Sequence, residues 1–220
     1  MVRDIFKIGT ANKAFFLPYL TFLFFCILAL LLFDKDGLHI AINQKSHPVA
    51  DVFFKYLTYL GDGRMLIIYA LILLFVKYRF VLILLLSNLF SGILTFILKT
   101  QVFDASLRPK KYFENIYELR LVPGVENYLH NSMPSGHTAT AFCVFTGFAL
   151  MAKNKAFGFL FLVIAALTGF SRIYLSQHFL DDVFIGSLIG VFFALITFYF
   201  FEKSISKPGL ENSLFNKRKA

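Results

Sequence analysis

The chain has 220 residues, 58% of them hydrophobic, with 30 Phe, no Trp and a formal net charge of +9. Average soluble domains hold roughly 45–50% apolar residues, so this composition excludes an ordinary soluble enzyme and leaves no folded soluble module to bind nucleic acid. Cys26 and Cys143 both sit in apolar runs and read as small buried hydrophobes, neither a disulfide nor a metal pair.

Apolar stretches near the ~20 residues that cross a bilayer predict an all-α integral membrane bundle of six transmembrane helices. Their expected positions are Ala14–Phe33, Met65–Val76, Phe80–Leu98, Thr138–Ala152, Phe157–Tyr174 and Asp182–Phe201. The first carries no charge, exceeds the usual h-region of a signal peptide and precedes no small-x-small site, so it is expected to be retained. Between the first two lies HPVADVFFKYLTYLG, whose Val49, Val52, Phe53, Leu57 and Leu60 fall at helical spacing. This amphipathic helix either lies at the interface or packs on the bundle. His39 and His47, in the same connection, read as interfacial. The second span has a short apolar run, so it must extend past Arg64 or let Lys77 and Arg79 snorkel. With no repeats or low-complexity tracts, residues 1–220 read as one domain, with a basic tail over 203–220.

Charge sets the orientation. Arg3, Lys7 and Lys13, the turns Lys77–Arg79 and Lys153–Lys155, and the tail with Lys207, Lys217, Arg218 and Lys219 all fall on one face of a six-span chain. Lys and Arg in short flanks mark the cytoplasmic side. Three polar stretches then meet on the outer face: LKTQVFDASLRPKKYF, SMPSGH and SRIYLSQHFLDD.

Each stretch supplies a different chemistry. Ser135 and Gly136 begin a span, and a helix N-terminus offers unpaired N–H groups to an anion. Arg108 and Arg172 bring guanidinium forks suited to phosphate oxygens, and Lys99 brings a point charge or is a cation snorkelling at a span end. Such cations beside a bilayer are costly without an anionic ligand. His178 and Asp182, four residues apart, share a helical face; the carboxylate can hold one ring nitrogen protonated and free the other as a nucleophile. His137 is placed to protonate a leaving alcohol. A metal-dependent hydrolase using His137, His178 and Asp182 as ligands is the competing reading, without an HExxH motif to support it. A non-catalytic binder or transporter of phosphorylated lipids is another.

PSGH at Pro134–His137 and SR-x5-H-x3-D from Ser171 to Asp182 resemble the type 2 phosphatidic acid phosphatase superfamily of membrane lipid phosphatases. The resemblance runs from about Lys99 to Asp182. It implies an extracytoplasmic-face site in which His178 takes the phosphoryl group, Asp182 orients it and His137 is the acid. Arg108, Arg172, Ser135, Gly136 and Lys99 would hold the phosphate, with neither metal nor cofactor. The family's K-x6-RP motif is here K-x8-RP, Lys99 to Arg108, so two extra residues must bulge, or Lys110 and Lys111 must substitute. Overall likeness favours a phosphorylated envelope lipid in a bacterial inner membrane as substrate, lipid A first and polyprenyl diphosphate next. Tyr117, Arg120 and Tyr128 are candidates to choose the headgroup.

Overall fold

The computed structural model describes residues 1–204 and 208–216; Lys207, Lys217, Arg218 and Lys219 of the basic tail lie outside the described residues. Among the described residues the regular structure is helical, and the one pairing of extended chain is an isolated bridge from Leu107 to His130. The α-helices in chain order are α1 Val2–Ala11, α2 Lys13–Leu32, α3 Lys35–Gln44, α4 Pro48–Leu57, α5 Met65–Leu74 and α6 Tyr78–Ile97. They are followed by α7 Pro109–Tyr112, α8 Gly136–Met151, α9 Phe157–Tyr174 and α10 Leu180–Ser204.

Among the described residues four helices are long and apolar enough to cross a bilayer: Lys13–Leu32, Tyr78–Val102, Phe157–Tyr174 and Leu180–Lys203. The other two expected spans differ in instructive ways. Helix α5 has 10 residues, about 15 Å of rise, half of a ~30 Å hydrocarbon core. It continues the Pro48–Gly61 segment across a 60° bend, where Asp62 Oδ1 accepts from Arg64 N at 2.8 Å in a Gly-Asp-Gly turn. Helix α8 has 16 residues, of which 11 are buried. It is the central post of the bundle, wrapped by α6, α9 and α10, and so need not match the lipid thickness itself.

Close contact between α8 and α10 depends on two glycines. A Cβ on Gly186 would meet Ser135 O at 2.7 Å, and one on Gly190 would meet Ala139 O at 2.4 Å. Any side chain at either position would push the helices apart. Phe15, Tyr19, Phe142 and Phe145 fill the adjoining core, while Leu17, Phe24, Phe25 and Leu31 of α2 face outward. Cys26 and Cys143 are both buried and free.

Helix α4 packs on the bundle. Phe54 stacks against Phe170 and Tyr174 of α9 with centroids 5.4 and 4.6 Å apart. Its Asp51 accepts from Tyr174 Oη at 2.7 Å and from Arg120 Nη1 at 3.0 Å. The guanidinium of Arg120 thereby ties the 107–130 loop to α4, with its side chain 45% exposed.

Candidate active site

The turn between α9 and α10 is the element on which the site is built. Arg172 O accepts from both Gln177 N at 2.9 Å and His178 N at 3.1 Å. That double bond set requires Ser176 in the left-handed region, φ 51°, a conformation costing a non-glycine residue roughly 1 kcal/mol or more. Asn43 Nδ2 donates to Ser176 Oγ at 3.3 Å, and His39 Nε2 lies 3.2 Å from the same oxygen. His39 is therefore not interfacial. It is 2% exposed, set between the rings of Phe113 and Phe179. Burial pushes its pKa down to about 4, so it is neutral.

His178 and Asp182 meet as their spacing predicts. Nδ1 of the imidazole is 3.1 Å from Asp182 Oδ2, and each side chain is 2% exposed. The same oxygen accepts from Phe179 N at 3.0 Å and Ser132 Oγ at 2.5 Å. An acceptor at Nδ1 selects the tautomer with Nδ1–H, leaving a lone pair on Nε2. Arg108 Nη1 stands 3.3 Å from Nε2; since guanidinium can only donate, the lone pair must face it. Burial, then the charges of Arg108, Arg172 and Lys99, push the His178 pKa well below its ordinary value. The imidazole is neutral.

Around Nε2 the cations are held without carboxylate partners among the described residues. Arg172, 6% exposed, donates to Thr58 Oγ1 at 2.6 Å and Gln177 Oε1 at 3.4 Å, and its Nε–H has no partner among the described residues. Arg108 donates to the carbonyls of His130 and Gln177 at 3.0 and 3.2 Å, and Tyr128 lies 5.4 Å from its guanidinium. Lys99 does reach the site's edge, from the π turn over Leu98–Val102 that ends α6. Its Nζ donates to Asn131 O at 2.6 Å and Ser132 O at 3.0 Å. Lys111 pairs with Glu114 instead, and Lys110 is exposed.

Ser135 caps α8. Its Oγ accepts from Thr138 N and Oγ1 at 3.3 and 2.8 Å, while its N–H donates to Asp182 O at 3.0 Å. The capping leaves the N–H groups of Gly136 and His137 as first-turn donors with no intrahelical acceptor. His137 borders a cavity of about 140 Å³ shared with Gly61, Gly63, Ser91 and Thr95. A second cavity of about 300 Å³, lined by Ser132, Tyr112, Lys35 and Asp182, flanks the other side.

Ser132, Gln177, Thr58 and His39 were not singled out as site residues by the sequence. Ser132 opens SMPSGH and Gln177 lies inside SRIYLSQHFLDD, whereas Thr58 and His39 lie far from any motif. No group of three His, Cys, Asp or Glu among the described residues is placed to hold a metal. A guanidinium against Nε2 would also repel a cation there.

A family model described as the PAP2 superfamily matches residues 80–206. The bacitracin transport permease protein BcrC of Bacillus licheniformis is 40% identical over 75 residues, 34% of this chain and 36% of that protein. The lipid A 1-phosphatase of Rhizobium johnstonii is 31% identical over 108 residues, 49% of this chain and 42% of that protein. The matches thus span less than half of either relative. The crystal structure of LpxE from Aquifex aeolicus superposes with a TM-score of 0.67 at 30% identity, covering 77% of this chain and 98% of that one.

Proposed function

The chain belongs to the PAP2 superfamily, and from that premise we propose that residues 1–220 form one membrane-embedded lipid phosphatase domain. The carrying observation is a pair of guanidinium groups, the buried Arg172 and the half-buried Arg108, without carboxylate partners among the described residues around a neutral His178. Buried cations of this kind are stabilised when an anion completes them. A phosphoryl group matches their planar forks.

In the mechanism, His178 Nε2 attacks phosphorus, a P–N bond forms and the bond to the lipid oxygen breaks. His137 gives that oxygen its proton; the phosphate dianion beside it stabilises the protonated imidazole. Asp182 holds Nδ1–H and balances the positive charge on the phosphohistidine ring. His137, now neutral, takes a proton from water, whose oxygen displaces His178 and releases phosphate. Arg108, Arg172, Lys99, and the N-terminus of α8 at Ser135 and Gly136, hold the oxygens, and no metal or cofactor enters a step. The substrate is a phosphorylated envelope lipid, lipid A phosphate first and polyprenyl diphosphate next, reached from the extracytoplasmic face of a bacterial inner membrane.

The test is phosphate release from a lipid panel by purified protein in detergent, with chelator present and His178→Ala alongside. Release in chelator that disappears in the variant supports the reading, and the panel ranks the substrates. Equal release by the variant, or none by the wild type from any lipid, sinks it in favour of binding or transport.

A further inference from the structure

We propose that a cavity at the end of the bundle opposite His178 binds the phosphodiester headgroup of an anionic phospholipid. The cavity, about 590 Å³, lies between α1 and the ends of α6, α8 and α10. Asp182 and Glu202 occupy opposite ends of α10, so the cavity is about 30 Å along the helix from the histidine site. It is the end whose basic flanks mark the cytoplasmic side, where membranes carry their anionic surface.

Charge complementarity argues for an anion. Lys7, Lys77, Arg79, Lys155 and Lys203 line the cavity against the carboxylates of Asp4 and Glu202. Several of these cations retain free donors. Arg79, its side chain 14% exposed, bonds Glu202 and Glu211 through its terminal nitrogens, yet its buried Nε–H has no partner among the described residues. Lys155 Nζ caps Leu150 O at 2.7 Å and keeps two protons. The ammonium of Lys7 makes no ion pair among the described residues.

The remaining chemistry separates a lipid from a free ion. Asn12 is 4% exposed; its Nδ2 donates to Ile8 O at 2.8 Å, and its buried Oδ1 accepts from nothing among the described residues. An orphaned acceptor beside a basic cluster wants a hydroxyl near the phosphate, as in the glycerol headgroup of phosphatidylglycerol. Ile8, Phe80, Leu150, Met151 and Phe198 give the same cavity an apolar wall. Helix α1 turns Val2 and Phe6 outward, 78% and 72% exposed, as a helix seated in a lipid interface does. Inorganic phosphate has the charge and a hydroxyl but no apolar part to cover that wall.

Binding to the full-length protein in detergent is measured by native mass spectrometry and thermal protection, with phosphatidylglycerol, phosphatidylcholine and inorganic phosphate as separate probes. Lys7→Gln, at an exposed side chain with no ion pair to lose among the described residues, guards against misfolding; Lys7→Gln/Lys155→Gln gives the larger effect. Phosphatidylglycerol affinity is expected to fall about 5-fold in the single variant and about 30-fold in the double, while phosphatidylcholine binds weakly to all three proteins. Unchanged phosphatidylglycerol binding in both variants, or phosphatidylcholine binding as tightly, overturns the proposal. Protection by inorganic phosphate equal to that by the lipid, and lost in the variants, overturns the lipid assignment in favour of a free-anion site. The readout is binding, so its failure leaves the phosphatase reading standing, and a failed phosphatase assay leaves this one standing.

Discussion

The two ends of the bundle use charge in opposite ways. At the histidine end, Arg172, His178 and Asp182 are almost wholly buried and fixed by hydrogen bonds, Arg172 donating to Thr58 and Gln177, and Asp182 accepting from Ser132 and Phe179. At the other end the charges are largely wet and pair across helices, as in Lys203 with Asp4 and Lys77 with Glu211. Buried groups held this way cost folding free energy and give a fixed geometry in return; wet pairs contribute little to either. The first end is dry and fixed, and the second wet and charged.

Four changes test that contrast, and the largest strikes the tautomer. Asp182→Asn removes the charge that selects Nδ1–H on His178, and phosphate release should fall about 10³–10⁴-fold with little change in KM. A loss under tenfold would show that the carboxylate does not orient the ring. His39 comes next, through stability. Its folded pKa of about 4 lies below the unfolded value of about 6.5, so the unfolded state binds the extra proton as pH falls. Stability is therefore full above about pH 6.5 and is lost by about 3 kcal/mol as pH drops toward 4. His39→Gln should flatten that part of a plot of Tm against pH; an unchanged slope would place the acid sensitivity elsewhere.

Ser132→Ala is a smaller perturbation. The Asp182 carboxylate keeps its bonds from Phe179 N and His178 but loses a charge-assisted donor worth about 1.5–3 kcal/mol. We expect kcat to fall about tenfold, KM to hold, and the pH profile to shift, a signature that a purely structural role would not give. The smallest effect belongs to the other end. Glu211→Gln removes the partner of Lys77 and Arg79, contacts worth about 1 kcal/mol or less. Tm should move by no more than about 2–4 °C, with phosphate release at the wild-type rate; a larger loss would mean that this end is as tightly coupled as the first.

Local patterns carried much of the site. The four-residue spacing of His178 and Asp182 needed only helical periodicity, and the Ser135 cap needed only a helix start, so both were legible. Lys99 was legible only through K-x8-RP, with its two residues in excess. Thr58 and His39 had no such mark. Thr58 reaches Arg172 across 114 positions of sequence and His39 reaches Ser176 across 137, and nothing in their immediate neighbours distinguishes them from loop or interfacial residues.

Hydropathy by itself determined that this is a helical membrane protein, because backbone groups in lipid must be satisfied within the helix that carries them. The same reading placed four of the spans within a few residues of the observed helices. It could not decide that α5 is half of a bent pair or that α8 is sheltered at the centre, since both depend on what neighbouring helices cover. Nor could it decide which nitrogen of His178 is free. That choice belongs to Asp182, Ser132 and Arg108, drawn from three separate segments: α8 packs against α10 at Gly186 and Gly190 beside Ser132 and Asp182, while Arg108 is held at the ring by the carbonyls of His130 and Gln177.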